Sequence, residues 1–135
     1  MFICVHLCPK IFLVAAQPLF APCLYRKKVM SDKMIHVKVF RFDPSVEQEP
    51  RYQTYQVPLE KGMSAMTALD YIYQHLDGTL SYYDHAACDL GICARCTGVI
   101  NGKPGLFCQT VLQGDVTLEP TSKDRVLKDL VAKKP

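Results

Sequence analysis

The chain has 135 residues, room for one domain with a modest core, and its 49% hydrophobic and 21% charged residues exclude an intrinsically disordered chain. A formal net charge of +3 is too small to point to nucleic acid, and basic and aromatic residues do not interleave as in single-strand binders. The unusual feature of the composition is seven cysteines.

Residues 1–29 contain no acidic residue and an apolar stretch around 11–24. That stretch is shorter than the roughly 20 apolar residues a membrane helix needs, and Pro18 and Pro22 interrupt it. Only Lys10 precedes it, so the charged start of a signal peptide is missing, and Pro22 beside Cys23 makes a poor lipoprotein cleavage site. The preferred reading is an upstream mis-assigned start, with Met30 or Met34 as the true one. The alternative is a short membrane-surface anchor helped by Arg26, Lys27 and Lys28. Residues 1–33 are accordingly expected to be an extension, of which 1–29 are dispensable for cluster assembly. Cys4, Cys8 and Cys23 fall in this segment, and an odd remainder there argues against a disulfide framework.

From Ile35 the pattern changes to alternation. Ile35, Val37 and Val39 share one face and His36, Lys38 and Phe40 the other, which predicts a half-buried strand closed by Arg41 to Pro44. Tyr52 to Val57 has the composition of its antiparallel partner, ended by Pro58. Ser64 is a helix cap in sequence, ahead of Met66, Leu69, Ile72, Tyr73 and Leu76 at helical spacing, with Gly78 suited to the C′ position. That stripe reads as core. His75 and His85 read as residues outside any ligand set.

Next come Cys88, Cys93, Cys96 and Cys108, four cysteines within twenty-one residues at spacings of four, two and eleven. The C-x4-C-x2-C opening is the plant-type [2Fe-2S] ligand pattern. Two irons bridged by two sulfides need four thiolates. Three can come from one tight loop and the fourth, Cys108, from the next strand. Gly91 permits the sharp turn that such a loop requires. Leu90, Ile92, Leu106 and Phe107 are apolar residues placed to exclude water. Asn101-Gly102 and Pro104-Gly105 form a hairpin signal that returns Cys108 beside Cys93 and Cys96. Zinc sites usually show two C-x2-C pairs where this chain has one, and disulfides would leave the crowding of 88, 93 and 96 without a reason. The bacterial four-iron run is absent. These four cysteines are therefore the expected metal and cofactor ligands, with no catalytic residue among them.

After Cys108, residues 111–119 are expected to form a strand ended by Pro120. Residues 123–134 are expected to form a short basic helix with Val126, Leu127, Leu130 and Val131 on one face. The expected organisation is an extension over 1–33, a domain over 34–120 and a basic tail over 121–135. The fold class is α+β, a β-grasp of the 2Fe-2S ferredoxin-like kind.

With these residues assembled, the chain resembles the N-terminal half of the iron-sulfur subunit of succinate dehydrogenase and fumarate reductase. The likeness runs from Ile35 to about Leu130. It is carried by VFRFDP at 39–44, PRYQTY at 50–55, Gly62-Met63, Ala68-Leu69, DGTL at 77–80, GIC at 91–93, NGKP at 101–104 and LEP at 118–120. The resemblance implies an electron-transfer protein with one [2Fe-2S] cluster on Cys88, Cys93, Cys96 and Cys108, exchanging electrons with a flavoprotein subunit that holds FAD. It implies a cytoplasmic protein, associated with a membrane only through its complex. Two departures stand out. Ala94 and Arg95 occupy the positions where the family commonly has Gly and Ser or Ala, which places a cation beside the cluster and favours its reduced form. No cysteine follows Cys108 to hold the two further clusters of the family's C-terminal domain, so a second electron carrier or cluster-bearing chain is expected as a partner. A free ferredoxin-like shuttle remains an alternative. So does the small subunit of a molybdenum hydroxylase, which shares the cysteine spacing but carries a second cysteine-bearing helical domain.

Overall fold

The computed structural model describes residues 33–84 and 90–133. The expected extension over 1–33 therefore lies almost wholly outside the described residues. Strands β1 (Met34–Arg41) and β2 (Arg51–Pro58) form the antiparallel hairpin that alternation predicts, with Val37 opposite Tyr55. Helix α1 (Ala65–His75) follows, and then β3 (Thr97–Ile100), β4 (Lys103–Leu106) and β5 (Val116–Pro120). The five strands make one sheet in the order β2-β1-β5-β3-β4, in which β1 and β5 run parallel and the remaining neighbours are antiparallel. A mixed sheet crossed by α1 is the α+β β-grasp arrangement.

The core lies between α1 and the sheet. Ile35, Val37, Val39 and Val57 from the sheet meet Met66, Leu69 and Ile72 from the helix, all essentially without solvent contact. Ser64 caps α1, its hydroxyl accepting from the Thr67 N–H at 3.1 Å. Tyr73 and Leu76, expected in the apolar stripe, are about half exposed, because Ala65 and Ala68 bring the helix close to the sheet on a narrower face. Gly78 does not take the left-handed C′ position either. The helix ends through Leu76 and Asp77, whose N–H groups both donate to the Ile72 carbonyl at 2.9 and 2.7 Å.

Three further expectations are corrected. Phe40 is buried rather than on the open face, since Tyr52 and Phe42 pack edge-on against its ring and Lys123 lies over it. The strand expected from residue 111 begins only at Val116. Gly114 and Asp115 break the run, and the Asp115 carboxylate accepts the His36 N–H at 2.8 Å in place of a ladder bond. Residues 123–133, the described part of the expected basic helix, are not α-helical. A single 3-10 turn (Lys123–Arg125) leads into a small hairpin of β6 (Val126–Lys128) and β7 (Val131–Ala132), with Asp129 at φ 50° in its turn. Val126 and Leu130 are buried, so this segment packs onto the domain.

The hairpin is held by a charge. Arg41, 4% exposed, donates from Nε to Asp129 Oδ1 (2.9 Å), from Nη1 to Asp77 Oδ2 (2.6 Å) and Tyr55 Oη (2.7 Å), and from Nη2 to Thr79 Oγ1 (2.9 Å). Asp129 also accepts the N–H groups of Phe42 and Ser81. Hydrogen bonds from Thr79, with those of Tyr55 and Arg41, hold the Asp77 carboxyl far below the usual carboxylate range against the opposing pull of burial. Burial and the bond to Asp77 push the Tyr55 phenol up to about 12. Arg41→Met leaves the buried Asp129 without its cationic partner, and removing one partner of a buried pair costs about 3–5 kcal/mol. Denaturant unfolding should show a loss of that size, with Asp129→Asn losing less because the amide keeps the turn. A loss below about 1 kcal/mol for Arg41→Met would contradict this account.

Candidate metal centre

The β3–β4 hairpin sets the site. Asn101 (φ 50°) and Gly102 (φ 80°) form its two-residue turn, both left-handed as the Asn-Gly pair predicts. The Asn101 amide oxygen accepts the Thr117 N–H at 2.8 Å and fixes the turn to β5. Pairing of Thr97 with Leu106 places Cys96, just before β3, beside Cys108, just after β4. Pro104 is tolerated because β4 is the edge strand. The two sulfurs are 3.3 Å apart and both thiols are free.

Cys108 sits in a turn that the helix itself holds. The Gln109 and Thr110 N–H groups return to the Leu106 carbonyl at 3.1 Å each. The first helical N–H groups, Ala65 and Met66, donate to the carbonyls of Thr110 (2.9 Å) and Phe107 (3.0 Å). Donors at a helix N-terminus have no partner inside the helix, and here they bind the backbone on either side of Cys108. The Phe107 N–H donates to the Cys96 carbonyl at 3.0 Å and closes the link.

The loop between the two ends behaves as its residues require. Gly91 takes φ 73°, its backbone N–H favours the Cys108 thiolate, and the Gln109 side-chain amide approaches that sulfur at 3.9 Å. Ala94 is left-handed too (φ 51°), stabilised by the Thr97 hydroxyl donating to its carbonyl at 2.7 Å. Burial raises the Cys108 thiol above its ordinary value, the neighbouring Cys96 adds to the rise, and the Gln109 and Gly91 donors act against it. The Cys108 thiol is thus disfavoured from ionising, and a bound cation would reverse that by stabilising its thiolate.

Of the four cysteines singled out from sequence, Cys96 is buried and paired with a half-buried Cys108, Cys93 is exposed, and Cys88 lies outside the described residues. Among the described residues no three His, Cys, Asp or Glu side chains converge on one metal position, so the structure brings together one sulfur pair and leaves Cys93 apart from it. Phe107 is buried at 3% exposure, as a water-excluding residue should be. Leu90 and Ile92 are instead exposed at 76% and 79%, because the tight turn at Gly91 points them outward. His75 is exposed against the Tyr71 ring at 4.8 Å, and His85 lies outside the described residues.

Gly98 and Gln109 were not singled out from sequence. A glycine inside a β-strand signals close approach by another group. A Cβ at Gly98 would lie 2.2 Å from the Phe107 ring and 2.8 Å from the Glu119 carbonyl oxygen.

Residues 36–135 match the family model described as a 2Fe-2S iron-sulfur cluster binding domain. The chain belongs to this family. Among curated relatives it is 40% identical over 106 residues to the fumarate reductase iron-sulfur subunit of Mycobacterium tuberculosis, covering 76% of this chain and 42% of that protein. It is 38% identical over 101 residues to the Haemophilus influenzae subunit of the same name, covering 73% and 39%. The chain thus spans about two fifths of the length of these relatives. In structure it is similar to a chain of the Mycobacterium smegmatis Sdh1 complex in the apo form, with a TM-score of 0.63 and 24% identity over 74% of this chain and 42% of that one, a likeness of fold.

Because the Cβ of Gly98→Ala would meet a buried ring and a backbone carbonyl, the substitution should displace Phe107 and loosen the Cys96–Cys108 pair. The expected cost is about 1–3 kcal/mol, the range for overpacking a core. Faster loss of the visible iron-sulfur absorption on warming would report it, and an unchanged thermal profile would show that the strand accommodates the methyl group.

Proposed function

We propose that this chain is the electron-transfer component of a fumarate reductase- or succinate dehydrogenase-like flavoprotein complex, carrying one [2Fe-2S] cluster on Cys88, Cys93, Cys96 and Cys108. The observation that carries this reading is the sulfur pair of Cys96 and Cys108. Their 3.3 Å separation is near the spacing of two thiolates on one tetrahedral metal, about 3.7 Å for metal–sulfur bonds of about 2.3 Å. Cys96 and Cys108 would therefore share one iron, leaving Cys88 and Cys93 for the other. The family model and the relatives' names support the cluster and the complex.

When bound, the cluster supplies one-electron transfer without a substrate pocket of its own. The chain's residues do the rest. The Gln109 amide donates to the Cys108 sulfur and the Gly91 N–H favours its thiolate, and such groups stabilise added negative charge. Phe107 keeps water from the buried pair. Leu90 and Ile92, exposed on either side of Gly91, offer an apolar edge on which the FAD-bearing subunit would seat, close to Cys93. A second electron carrier or cluster-bearing chain would complete the route. The complex would be cytoplasmic and meet a membrane through its other subunits. Among the described residues no helix is long and apolar enough to cross one.

Anaerobically purified protein should contain two irons and two acid-labile sulfides per chain. Serine at position 88, 93, 96 or 108 should weaken or abolish the cluster, while serine at Cys4, Cys8 or Cys23 should not. Zinc without labile sulfide would rule the cluster out. For docking, Leu90→Gln with Ile92→Gln should slow electron exchange with the co-purifying flavoprotein at least tenfold while leaving the cluster's absorption unchanged. Exchange at the parental rate would place the contact elsewhere.

A further inference from the structure

Beside the cysteine loop lies a cavity of about 190 Å³ whose lining differs in sign from the others described. One wall is Ala94 and Arg95, between Cys93 and Cys96, with Thr97 just after. The other comes from Ser122 and Arg125 and from Leu130, Ala132 and Lys133 of the β6–β7 region. All its charged lining residues, Arg95, Arg125 and Lys133, are cations. The remaining described cavities include Asp84 with Lys128, or Asp115. Arg41, Arg51, Lys123 and Lys128 each have a carboxylate within 4 Å, whereas among the described residues no such ion pair involves Arg95, Arg125 or Lys133.

Three of the hydroxyls around the cavity are already committed as donors. Tyr83 donates to the Ala132 carbonyl at 3.0 Å, Thr97 to Ala94 at 2.7 Å and Thr121 to Thr97 at 2.8 Å. The Thr121–Thr97 bond joins the two walls. The hydrogen-bond donors left for a guest are the three cations and Ser122, whose side chain makes no capping bond. Ala94, Leu130 and Ala132 give the cavity an apolar part. Three like charges around one small volume repel one another, and an anion with several oxygens relieves that repulsion.

The geometry points to a binding site in this cavity for a small dianionic oxyanion, a phosphate or a short dicarboxylate, whose occupancy is linked to the oxidation state of the cluster. The linkage rests on the assignment of the cluster to the cysteine loop. Arg95 lies in the backbone between two of its ligands, so the single electron gained on reduction adds negative charge near a cation that the anion also uses. Reduction therefore weakens anion binding. By reciprocity the anion lowers the reduction potential.

The test uses the full-length, cluster-loaded protein under anaerobic conditions, at ionic strength held constant with sodium chloride. Inorganic phosphate and malonate are titrated separately, with calorimetry reporting binding and electrochemistry reporting the midpoint potential. Saturable binding, about fivefold or more tighter to the oxidised protein, is expected, as is a potential that falls and then levels off. A response to phosphate alone assigns a tetrahedral anion, and a response to malonate alone assigns a dicarboxylate. Arg125→Gln with Lys133→Gln, both at exposed positions, should lose at least tenfold in affinity with the cluster's absorption intact. Arg95→Gln should reduce the difference in affinity between the two oxidation states. An intact cluster spectrum with no saturable binding, or undiminished binding in the double variant, overturns the cavity proposal. Binding equal in both oxidation states overturns the linkage. Absence of a two-iron spectrum overturns the cluster assignment and the linkage with it.

Discussion

Arg41 carries a guanidinium into the interior, and much of the domain is arranged to make that tolerable. Moving one ion out of water costs several kcal/mol, a large share of the roughly 5–15 kcal/mol that holds a domain together. The cost is offset only if the donors and the facing acceptors are matched. Here Nε, Nη1 and Nη2 all find oxygens, from Asp129, Asp77, Tyr55 and Thr79, and Asp129 finds backbone donors in Phe42 and Ser81. The partners come from β2, the end of α1, the segment after it and the β6–β7 turn. One charge therefore sets the position of four segments that hydrophobic packing alone leaves free to slide.

This matters for the site because the cysteine loop has two ends. Its C-terminal end is tied into the sheet through the β3–β4 hairpin and to α1 through the Phe107 and Thr110 carbonyls. Its N-terminal approach, Thr79 to Asp84, has no strand pairing and depends on the Arg41 network. Thr79 binds Arg41 and Asp77, Ser81 binds Asp129, and the Ser81 carbonyl accepts the Leu130 N–H. The same hairpin that satisfies Arg41 supplies Leu130, Ala132 and Lys133 to the cavity beside the loop. A structural charge and a candidate site are thus coupled through one short segment.

What was legible in the sequence was whatever has a local signature. Alternation at Ile35, Val37 and Val39 marked β1, Ser64 marked the start of α1, and Asn101-Gly102 marked the turn that brings Cys108 beside Cys96. Less legible were features decided by distant partners. Phe40 reads as solvent-facing until Tyr52 and Lys123 cover it. Val126, Leu127, Leu130 and Val131 have helical spacing, yet Asp129 is drawn into a left-handed turn by its pairing with Arg41, 88 residues earlier. Leu90 and Ile92 look like insulation by composition, but the turn at Gly91 points them outward. Gly98 did carry a readable signal, a glycine within a strand, though the ring it accommodates cannot be inferred from its neighbours.

Asp129 shows how tightly these roles are joined. A non-glycine residue at positive φ is strained, and Asp is among the few that tolerate it because a short polar side chain can bond locally. Glycine there would suit the backbone and leave Arg41 without its Nε partner. Glutamate would keep the charge but move it by a methylene in a packed interior. Only a residue that is short, anionic and tolerant of the left-handed region meets both demands. The turn therefore cannot be optimised independently of the buried charge, nor the charge independently of the strand pair that forms one wall beside the cysteine loop.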